Sequence, residues 1–569
     1  MNQPFETITP APSHPAALPF MVRMRDDVRL ATDVYLPGGE SSAPPGPTIL
    51  IRLPYDKCGT YTQLPLIADY FTTRGYRVAV QDVRGKFRSQ GETILFTNEV
   101  HDGYDTIEWI THQPWSDSVV GMWGDSYYGY TQWAAVASGH PALRAIAPRV
   151  TGTELGQVLD HGNGTRDVEQ GIHLSYMATH FVDNDTYAWE PDPETRPLIA
   201  PFEDFFRTLG RRSPSFDIAF PHGHDGLLRR WPEGHPFDQR AIPVLQTIGW
   251  YDNCAPWQWH DIAELARRPD WAANQYLLID AIDHENHHIT QAPYDDTTDH
   301  DANEDAYRAL LPTYLDPALE FFDIFLRRQG NTTQLPRVRW HLVHGDGPEL
   351  HTDTSWPPVN TEPLTLHLTP AGEPPTGTTP GALTPTKPTT SSTGTWTHDP
   401  DSPIPSPTDN AFAYLRTNPR LHDWSKREDV LVFDAEPTTQ TLDLTGPVSL
   451  TLTLSTTGPS THLFTKLLDV HPSGEAELVA HGRVHTESPE SRLTVSLGQV
   501  GYRLRPGHRL RLHLHSSDFP EFVLHPGTAD NPWLAVRTER TVQSIRLGGE
   551  AGAHLTLTTG TSERLNPQG

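Results

Sequence analysis

A serine able to act as a nucleophile lies at Ser126 in Gly124-Asp125-Ser126-Tyr127-Tyr128-Gly129, after the apolar run Val119-Val120-Gly121-Met122-Trp123 and before the helix-like stretch Tyr130-Thr131-Gln132-Trp133-Ala134-Ala135-Val136-Ala137. A strand, a sharp turn carrying a serine and then a helix is a nucleophile elbow, which lifts the hydroxyl out at the carboxyl end of a sheet. The N-terminus of the following helix aims backbone N–H groups at the place where an oxyanion would form. Glycines belong in such a turn because strand and helix pass closely and the backbone of the nucleophile is strained. The spacing departs from G-x-S-x-G in one respect: the second glycine is Gly129, and Tyr128 stands in the usual position.

A serine hydroxyl is a weak nucleophile and needs a base that is itself oriented by an acid. Val244-Leu245-Gln246-Thr247-Ile248-Gly249 reads as a buried strand, and the polar turn Trp250-Tyr251-Asp252-Asn253 after it makes Asp252 the acid candidate. The next apolar run, Tyr276-Leu277-Leu278-Ile279, leads through Asp280-Ala281-Ile282-Asp283 to His284, the base candidate. Taken singly, a turn aspartate reads as a helix cap, and one histidine among thirty as solvated surface. Together the three stand just past strands in the chain order Ser, Asp, His of an α/β-hydrolase. That order supports acyl transfer from an ester or amide through an acyl-enzyme.

The elbow, Pro54-Tyr55-Asp56-Lys57 after the strand-like Thr48-Ile49-Leu50-Ile51-Arg52, Gln81-Asp82-Val83-Arg84-Gly85, and Gly249-Trp250-Tyr251-Asp252 resemble the cocaine esterase and X-prolyl dipeptidyl-peptidase family of serine hydrolases. The resemblance continues at Val430-Leu431-Val432-Phe433, Leu467-Leu468-Asp469-Val470-His471 and Ser516-Ser517-Asp518-Phe519-Pro520. It implies that Ser126 is the nucleophile, His284 the base and Asp252 its orienting acid. It also implies an oxyanion hole made of the Tyr55 hydroxyl and the Tyr127 backbone N–H, since a phenolic O–H in a water-poor pocket can donate as a second backbone N–H does elsewhere. Read from its neighbours alone, Tyr55 is a half-buried aromatic beside Pro54. The lead-in to His284 departs from the Gly-Pro-Trp type usual in that family.

His284-Glu285-Asn286-His287-His288 also satisfies H-E-x-x-H, which on a helix sets two imidazoles one turn apart for zinc with the glutamate as base. The segment follows a short loop after a strand and runs into Pro293, which leaves little room for that helix. The serine reading is preferred, with His287 and His288 at its rim and neither metal nor cofactor expected. Forty-three basic against seventy-one acidic side chains give a formal charge of −28. That charge argues against nucleic acid or an anionic membrane as partner and for a small-molecule ester or amide, uncharged or cationic. The sequence shows neither an apolar run of eighteen residues nor a secretory leader, so a cytoplasmic location is expected. Cys58 and Cys254 are too few for a disulfide framework; beside active-site loops, and as candidate neighbours, they read as small packing residues.

The elements that must position these residues follow from patterning. Met21–Met24 and Val28–Leu36 alternate around Arg25-Asp26-Asp27 as a hairpin. Strands near residues 48 to 52, 76 to 81, 119 to 123, 145 to 149, 244 to 249 and 276 to 279 alternate with helical patterns, the order of a doubly wound α/β sheet. The long gap between the fourth and fifth, rich in aromatics such as Tyr176, Phe181 and Trp189, reads as a mostly helical cap over the site. After Gly330 every second residue is apolar, as in Val448–Leu454 and Leu510–Leu514, the grammar of a β-sandwich, which the family resemblance makes a jelly roll. The Pro/Thr/Gly/Ser stretch from Pro370 to about Asp409 is expected to be extended and irregular. With 569 residues one core is too few, and the division expected is 1–150 and 241–332 for the hydrolase core, 151–240 for the cap and 333–569 for the jelly roll.

These readings converge on a serine hydrolase, with a small acyl ester favoured as substrate. An aminopeptidase of X-Pro dipeptidyl-peptidase type is the alternative, in which a cap acid such as Glu154, Asp160, Asp167, Glu169, Asp183 or Asp185 would bind the ammonium group. Biosynthetic acyl transfer on the same scaffold and a homo-oligomer both stay open. A non-catalytic carbohydrate-binding role is disfavoured by the complete Ser, Asp and His set.

Overall fold

The computed structural model describes residues 5–39, 44–162, 164–220, 229–292, 294–295, 297–344, 346–370, 380–408 and 410–560. Its first sheet contains β1 (Leu18–Arg23), β2 (Arg29–Tyr35), β3 (Gly46–Leu53), β4 (Arg77–Asp82), β5 (Ser116–Asp125), β6 (Leu143–Arg149), β7 (Val244–Gly249), β8 (Gln275–Asp280), β9 (Val338–Leu342) and β10 (Glu349–Asp353). In space they lie in the order β10-β9-β8-β7-β6-β5-β3-β4-β2-β1. The pairs from β4 through β3, β5, β6, β7 and β8 to β9 are all parallel. The antiparallel hairpins β1/β2 and β9/β10 close the two edges. Every residue of β3, β4 and β7 is buried, as a parallel sheet covered on both faces requires.

The covering helices are α1 (Leu64–Thr73), α2 (Glu99–Thr111), α3 (Ser126–Ala137), α4 (Ile172–His180), α5 (Ala200–Leu209), α6 (Pro214–Ala219), α7 (Ala255–Ala266) and α8 (Glu304–Phe325). The pleat of β3 sorts its side chains between them. Ile49, Ile51 and Leu53 pack with α1 and α8, whereas Leu50 points to the opposite core with Ile107 and Ile110 of α2 and Trp133 of α3. The expected hairpin is present, with Val22 opposite Leu30 and Asp27 at φ 69 in its turn.

The segment between β6 and β7 differs from the mostly helical cap expected of it. Its helices α4, α5 and α6 have nine, ten and six residues, and the greater part of the described segment is irregular or short strand. α5 buries Phe202, Phe205 and Phe206, and the strand Thr186–Ala188 pairs with Glu6–Ile8. These local attachments, rather than a helical bundle, fasten the segment over the sheet.

The C-terminal part is β-rich: β11 (Thr361–Thr369), β12 (Gly381–Thr384), β13 (Ser392–His398), β14 (Leu431–Ala435), β15 (Leu442–Thr456), β16 (Thr461–Val470), β17 (Ala476–Thr486), β18 (Glu490–Leu504), β19 (Arg509–His515), β20 (Thr541–Leu547) and β21 (His554–Gly560). Leu450, Leu452 and Leu454 of β15 join Leu510, Leu512 and Leu514 in one core, as their alternation demands. β9 and β10 belong to the first sheet, and the Val343 N–H just past β9 donates to the Gly501 carbonyl of β18 at 2.8 Å. One expectation needs correction. The Pro/Thr/Gly/Ser stretch contains β12 and β13; its residues 371–379 and 409 lie outside the described residues. β13 is legible only in retrospect, because its inward positions are Gly394, Trp396 and His398, of which one alone is strongly apolar.

Candidate active site

β5 ends on Asp125 and α3 begins on Ser126. Asp125 is extended at φ −97°, whereas Ser126 has φ 50°, a region that side-chain-bearing residues rarely occupy. That reversal within one peptide makes the elbow. Both glycines are demanded by close approach: a Cβ on Gly124 would fall on the Tyr128 ring, and one on Gly129 would lie 2.6 Å from Cγ2 of Thr151. Tyr128 therefore fits the position usual for glycine by folding its ring back over Gly124, and the glycine is needed one residue later, where α3 meets the end of β6.

A buried network holds this strained turn. The Thr151 hydroxyl donates to the Ser126 carbonyl at 2.6 Å. The Asp125 carboxylate accepts from Arg149 Nε at 2.9 Å, from Asn286 Nδ2 at 2.9 Å and from the Tyr314 hydroxyl, while Arg149 Nη2 donates to Asn286 Oδ1 at 2.7 Å. Asn286 stands two residues past His284, so the elbow and the histidine loop are tied through one carboxylate.

The acid and base candidates meet because their loops touch. A Cβ on Gly249 would collide with the Ile282 carbonyl oxygen, so only glycine lets the chain after β7 pass the chain after β8. Trp250 and Tyr251 donate their N–H groups to the carbonyls of Asp280 and Ile282 at 2.9 and 3.2 Å. In consequence His284 Nδ1 lies 2.6 Å from Asp252 Oδ1, with both side chains buried. Nδ1 engaged by the acid leaves Nε2 to exchange a proton. Burial works against the imidazolium, yet Cys254 and Asp252 outweigh it and hold His284 well above the usual histidine range. Burial also pushes the Cys254 thiol up to about 11, so it is neutral at pH 7 and the attraction comes from Asp252. Cys58 is elsewhere engaged, its thiol 3.2 Å from Asp33. Both cysteines are free.

Tyr55 follows β3 on a loop that its flanking residues fix. Asp56, at φ 62°, accepts from the Ala11 and Cys58 N–H groups at 2.7 and 3.2 Å, and Asp82 accepts from the Lys57 N–H at 2.9 Å. The Tyr55 hydroxyl is 2.9 Å from that of Tyr176 on α4 and also interacts with Ser126. Burial pushes it up to about 12, which keeps its proton in place near neutrality. The Tyr127 N–H is in the first turn of α3, where N–H groups have no intrahelical acceptor. Its side chain is locked by stacking on Phe96 at 5.3 Å and by donating to Glu99 at 3.0 Å.

Ser126, Tyr55, Tyr127 and His284 line one cavity of about 1290 Å³, whose walls come from the sheet loops, the inserted segment and the C-terminal part, as in Phe96, Tyr176 and Phe412. Of the acids considered for an ammonium group, Asp167 and Glu169 line it; Glu154, Asp160, Asp183 and Asp185 do not. The H-E-x-x-H residues form a turn with Asn286 at φ 65°, not a helix, so His284 and His288 are not set one helical turn apart. Glu285 accepts from the Tyr61 hydroxyl at 2.9 Å, and His287 packs against His300 with ring centroids 3.9 Å apart. Tyr176 and the Asp125 network had no sequence signal: Tyr55 and Tyr176 stand 121 residues apart, Asp125 and Asn286 161.

Among known proteins, residues 26–286 match the family model of the X-Pro dipeptidyl-peptidase (S15 family), and residues 330–564 that of the X-Pro dipeptidyl-peptidase C-terminal non-catalytic domain. A cocaine esterase from Rhodococcus sp. (strain MB1 Bresler) is 30% identical over 558 residues, covering 89% of this chain and 92% of that protein. The fold is shared with an α-amino acid ester hydrolase, at TM-score 0.76 and 21% identity over 96% of this chain and 98% of that one. It is also shared with an aminopeptidase from a marine sediment Thaumarchaeota archaeon, at TM-score 0.76 and 20% identity over 97% and 98%. No helix among the described residues is long and apolar enough to cross a membrane.

Two outcomes follow from this geometry. Asp125→Asn keeps the shape but leaves Arg149 buried without its counter-charge; about 3–5 kcal/mol of stability should be lost, read as a lower thermal midpoint together with reduced kcat. An unchanged midpoint would show that the network does not hold the elbow. If His284 is the base, it must be neutral to accept a proton, and with its pKa raised kcat/KM should climb with pH along an acid limb that lies above 6.5. A limb below that value would mean that Asp252 does not govern the imidazole.

Proposed function

Because the chain belongs to the X-Pro dipeptidyl-peptidase (S15) and cocaine esterase family and is a serine hydrolase of esters or amides, we propose that Ser126 is its nucleophile, His284 the general base and Asp252 the acid that orients it. The observation that carries this reading is the 2.6 Å His284–Asp252 contact in a cavity shared with a serine held at φ 50°. Ser126 Oγ attacks the acyl carbon while Nε2 of His284 takes its proton. The Tyr55 hydroxyl and the Tyr127 N–H donate to the tetrahedral oxyanion. On collapse, His284 returns the proton to the leaving alcohol or amine, and water attacks the acyl-enzyme by the same route. The Tyr176 hydroxyl lies 2.9 Å from that of Tyr55, and in this reading it is the donor of the pair, which leaves the Tyr55 proton for the oxyanion and polarises it.

An uncharged acyl ester is favoured over a peptide with a free amino terminus because each acid lining the cavity, among the described residues, is already engaged. Asp167 pairs with Arg483 at 2.8 Å, Asp301 with Arg416, and Asp56 with Arg88 at 3.3 Å. Glu169 accepts from Trp533 Nε1 at 2.9 Å, Glu190 from Asn410, and Glu285 from Tyr61 at 2.9 Å. An ammonium group would find three of these carboxylates neutralised by arginine, and the other three, Glu169, Glu190 and Glu285, already accepting from neutral donors. The similarity to a cocaine esterase supports the same choice. We assign residues 18–150 and 241–353 to the hydrolase unit, 151–240 to the insertion and 361–560 to the β-rich unit.

A fluorophosphonate should label the protein once, at Ser126, and kcat/KM should be higher for neutral acyl esters than for Xaa-Pro amides. An adduct at another serine, or the opposite ranking, would overturn the corresponding half of the reading. Tyr55→Phe should lower kcat by about 10²–10³ with little change in KM or thermal midpoint, as loss of one oxyanion donor does. Tyr176→Phe should lower kcat by less. A larger loss from Tyr176→Phe than from Tyr55→Phe would reverse the order of the two donors.

A further inference from the structure

Among the described residues, three groups place the donor atoms of histidines with acids or a cysteine within 4.8 Å of one another. Asp252, Cys254 and His284 belong to the active site. In the second, His287, His300 and Asp301, the Nε2 of His300 is engaged by the Glu285 carbonyl at 2.8 Å, and Arg416 already neutralises Asp299 and Asp301. The third, Asp469, His471 and His508, stands at the corner where β16, β17 and β19 meet, inside the motif Leu467-Leu468-Asp469-Val470-His471 that the hydrolase reaction leaves unused.

This third group has a ligand-like spacing. Asp469 and Glu477 are cross-strand neighbours on β16 and β17. His508 Nδ1 is 3.0 Å from Asp469, while His471 Nε2 is 3.6 Å from Glu477 and 3.9 Å from Asp469, too long for hydrogen bonds. Donors sharing one tetrahedral ion at about 2.0–2.1 Å each are separated by about 3.3 Å, which these distances bracket. Outer partners orient the carboxylates: the Tyr502 hydroxyl donates to Asp469 Oδ2 at 2.9 Å, and Arg420 Nε donates to Glu477 Oε1 at 3.0 Å, leaving the second Glu477 oxygen toward His471. Asp469 is 2% exposed, so a charge on it must be offset by partners and not by water. The two histidines have ring centroids 4.5 Å apart.

We propose that Asp469, His471 and His508 form a structural binding site for a divalent transition ion, zinc by its ligand types. This departs from the expectation of no metal drawn from the sequence. Two imidazoles and one carboxylate supply three ligands and leave the fourth position to water; because none of the three lines the cavity of Ser126, the ion staples a corner and takes no part in acyl transfer. Metal binding requires unprotonated ligand atoms, so affinity falls as pH falls. The corner is the one on which Tyr251, next to Asp252, rests: its ring packs on Leu468, Val470, Ala476 and Leu478, and its hydroxyl donates to the Leu478 carbonyl at 3.2 Å.

The test uses the whole chain stripped by a chelator and titrated with Zn²⁺ by calorimetry and with Co²⁺ by visible absorption. One ion per chain, the intense bands of a four-coordinate Co²⁺ site and a higher thermal midpoint are expected, with kcat/KM unchanged by the metal. His471→Ala and His508→Ala should each weaken binding at least tenfold, and His287→Ala should leave it intact. Absence of one-site binding to the unmutated chain would overturn the proposal without reference to any variant. So would binding that survives His471→Ala and His508→Ala, or that is lost in His287→Ala.

Discussion

The carboxylate of Asp125 is the constraint on which the active site depends. It sits at the last position of β5, inside the protein, and a buried charge there is tolerable only if it is paired and hydrogen-bonded. Arg149 supplies the charge from the end of β6, Asn286 a donor from the loop after His284, and Tyr314 a hydroxyl from α8. Three of these four positions lie next to groups that must meet. Asp125 precedes Ser126, Arg149 stands two residues before Thr151, which grips the Ser126 carbonyl, and Asn286 follows His284 by two. The left-handed backbone of Ser126 costs of order 1–3 kcal/mol and persists because this surrounding structure over-determines it.

The second support comes from the β-rich unit, which is less separable from the hydrolase unit than the family division of the chain suggests. The His284 N–H donates to the Leu415 carbonyl at 3.2 Å, the Thr417 N–H to Asp283 at 3.1 Å, and the Thr417 hydroxyl to the Tyr251 carbonyl at 3.2 Å. The acid and base loops are thus held between the carboxyl end of the sheet and residues 415–417. Burial there pushes Asp283 up to about 8, which keeps a second charge from forming beside the His284–Asp252 pair near neutrality. The position of the His284 ring therefore rests on contacts from both halves of the chain.

Much of this was legible in the sequence because the relevant signals are local. Parallel strands buried on both faces read as continuous apolar runs, and the elbow, Asp252 and His284 each stand directly past such a run. The candidate oxyanion donors came from family resemblance, since nothing in the spacing around Tyr55 distinguishes a donor from a packed ring. What stayed hidden is non-local or carried by weak residue types. Asp125, between a glycine and a serine, looks like any turn aspartate until Arg149 and Asn286 arrive from elsewhere in the chain. β13 places glycine and histidine at inward positions, so its alternation has no amplitude. β9 alternates as an edge-type strand in either unit would, and only its parallel pairing with β8 assigns it to the first sheet.

The engaged acids of the cavity show how one scaffold can be set for different acyl groups without moving its catalytic atoms. Selecting a neutral group needs no attractive charge, only the removal of free ones, and pairing Asp167 with Arg483 across the boundary between insertion and β17 does that at a distance from Ser126. A carboxylate so paired contributes little field to the cavity, whereas the same carboxylate released from its arginine would attract an ammonium group at close range. Two of the three arginines that do the pairing, Arg416 and Arg483, come from the C-terminal part, and the third, Arg88, follows β4. On the reading proposed above, substrate charge is set by these pairs and not by the groups assigned to acyl transfer, which separates the choice of substrate from the geometry of that transfer.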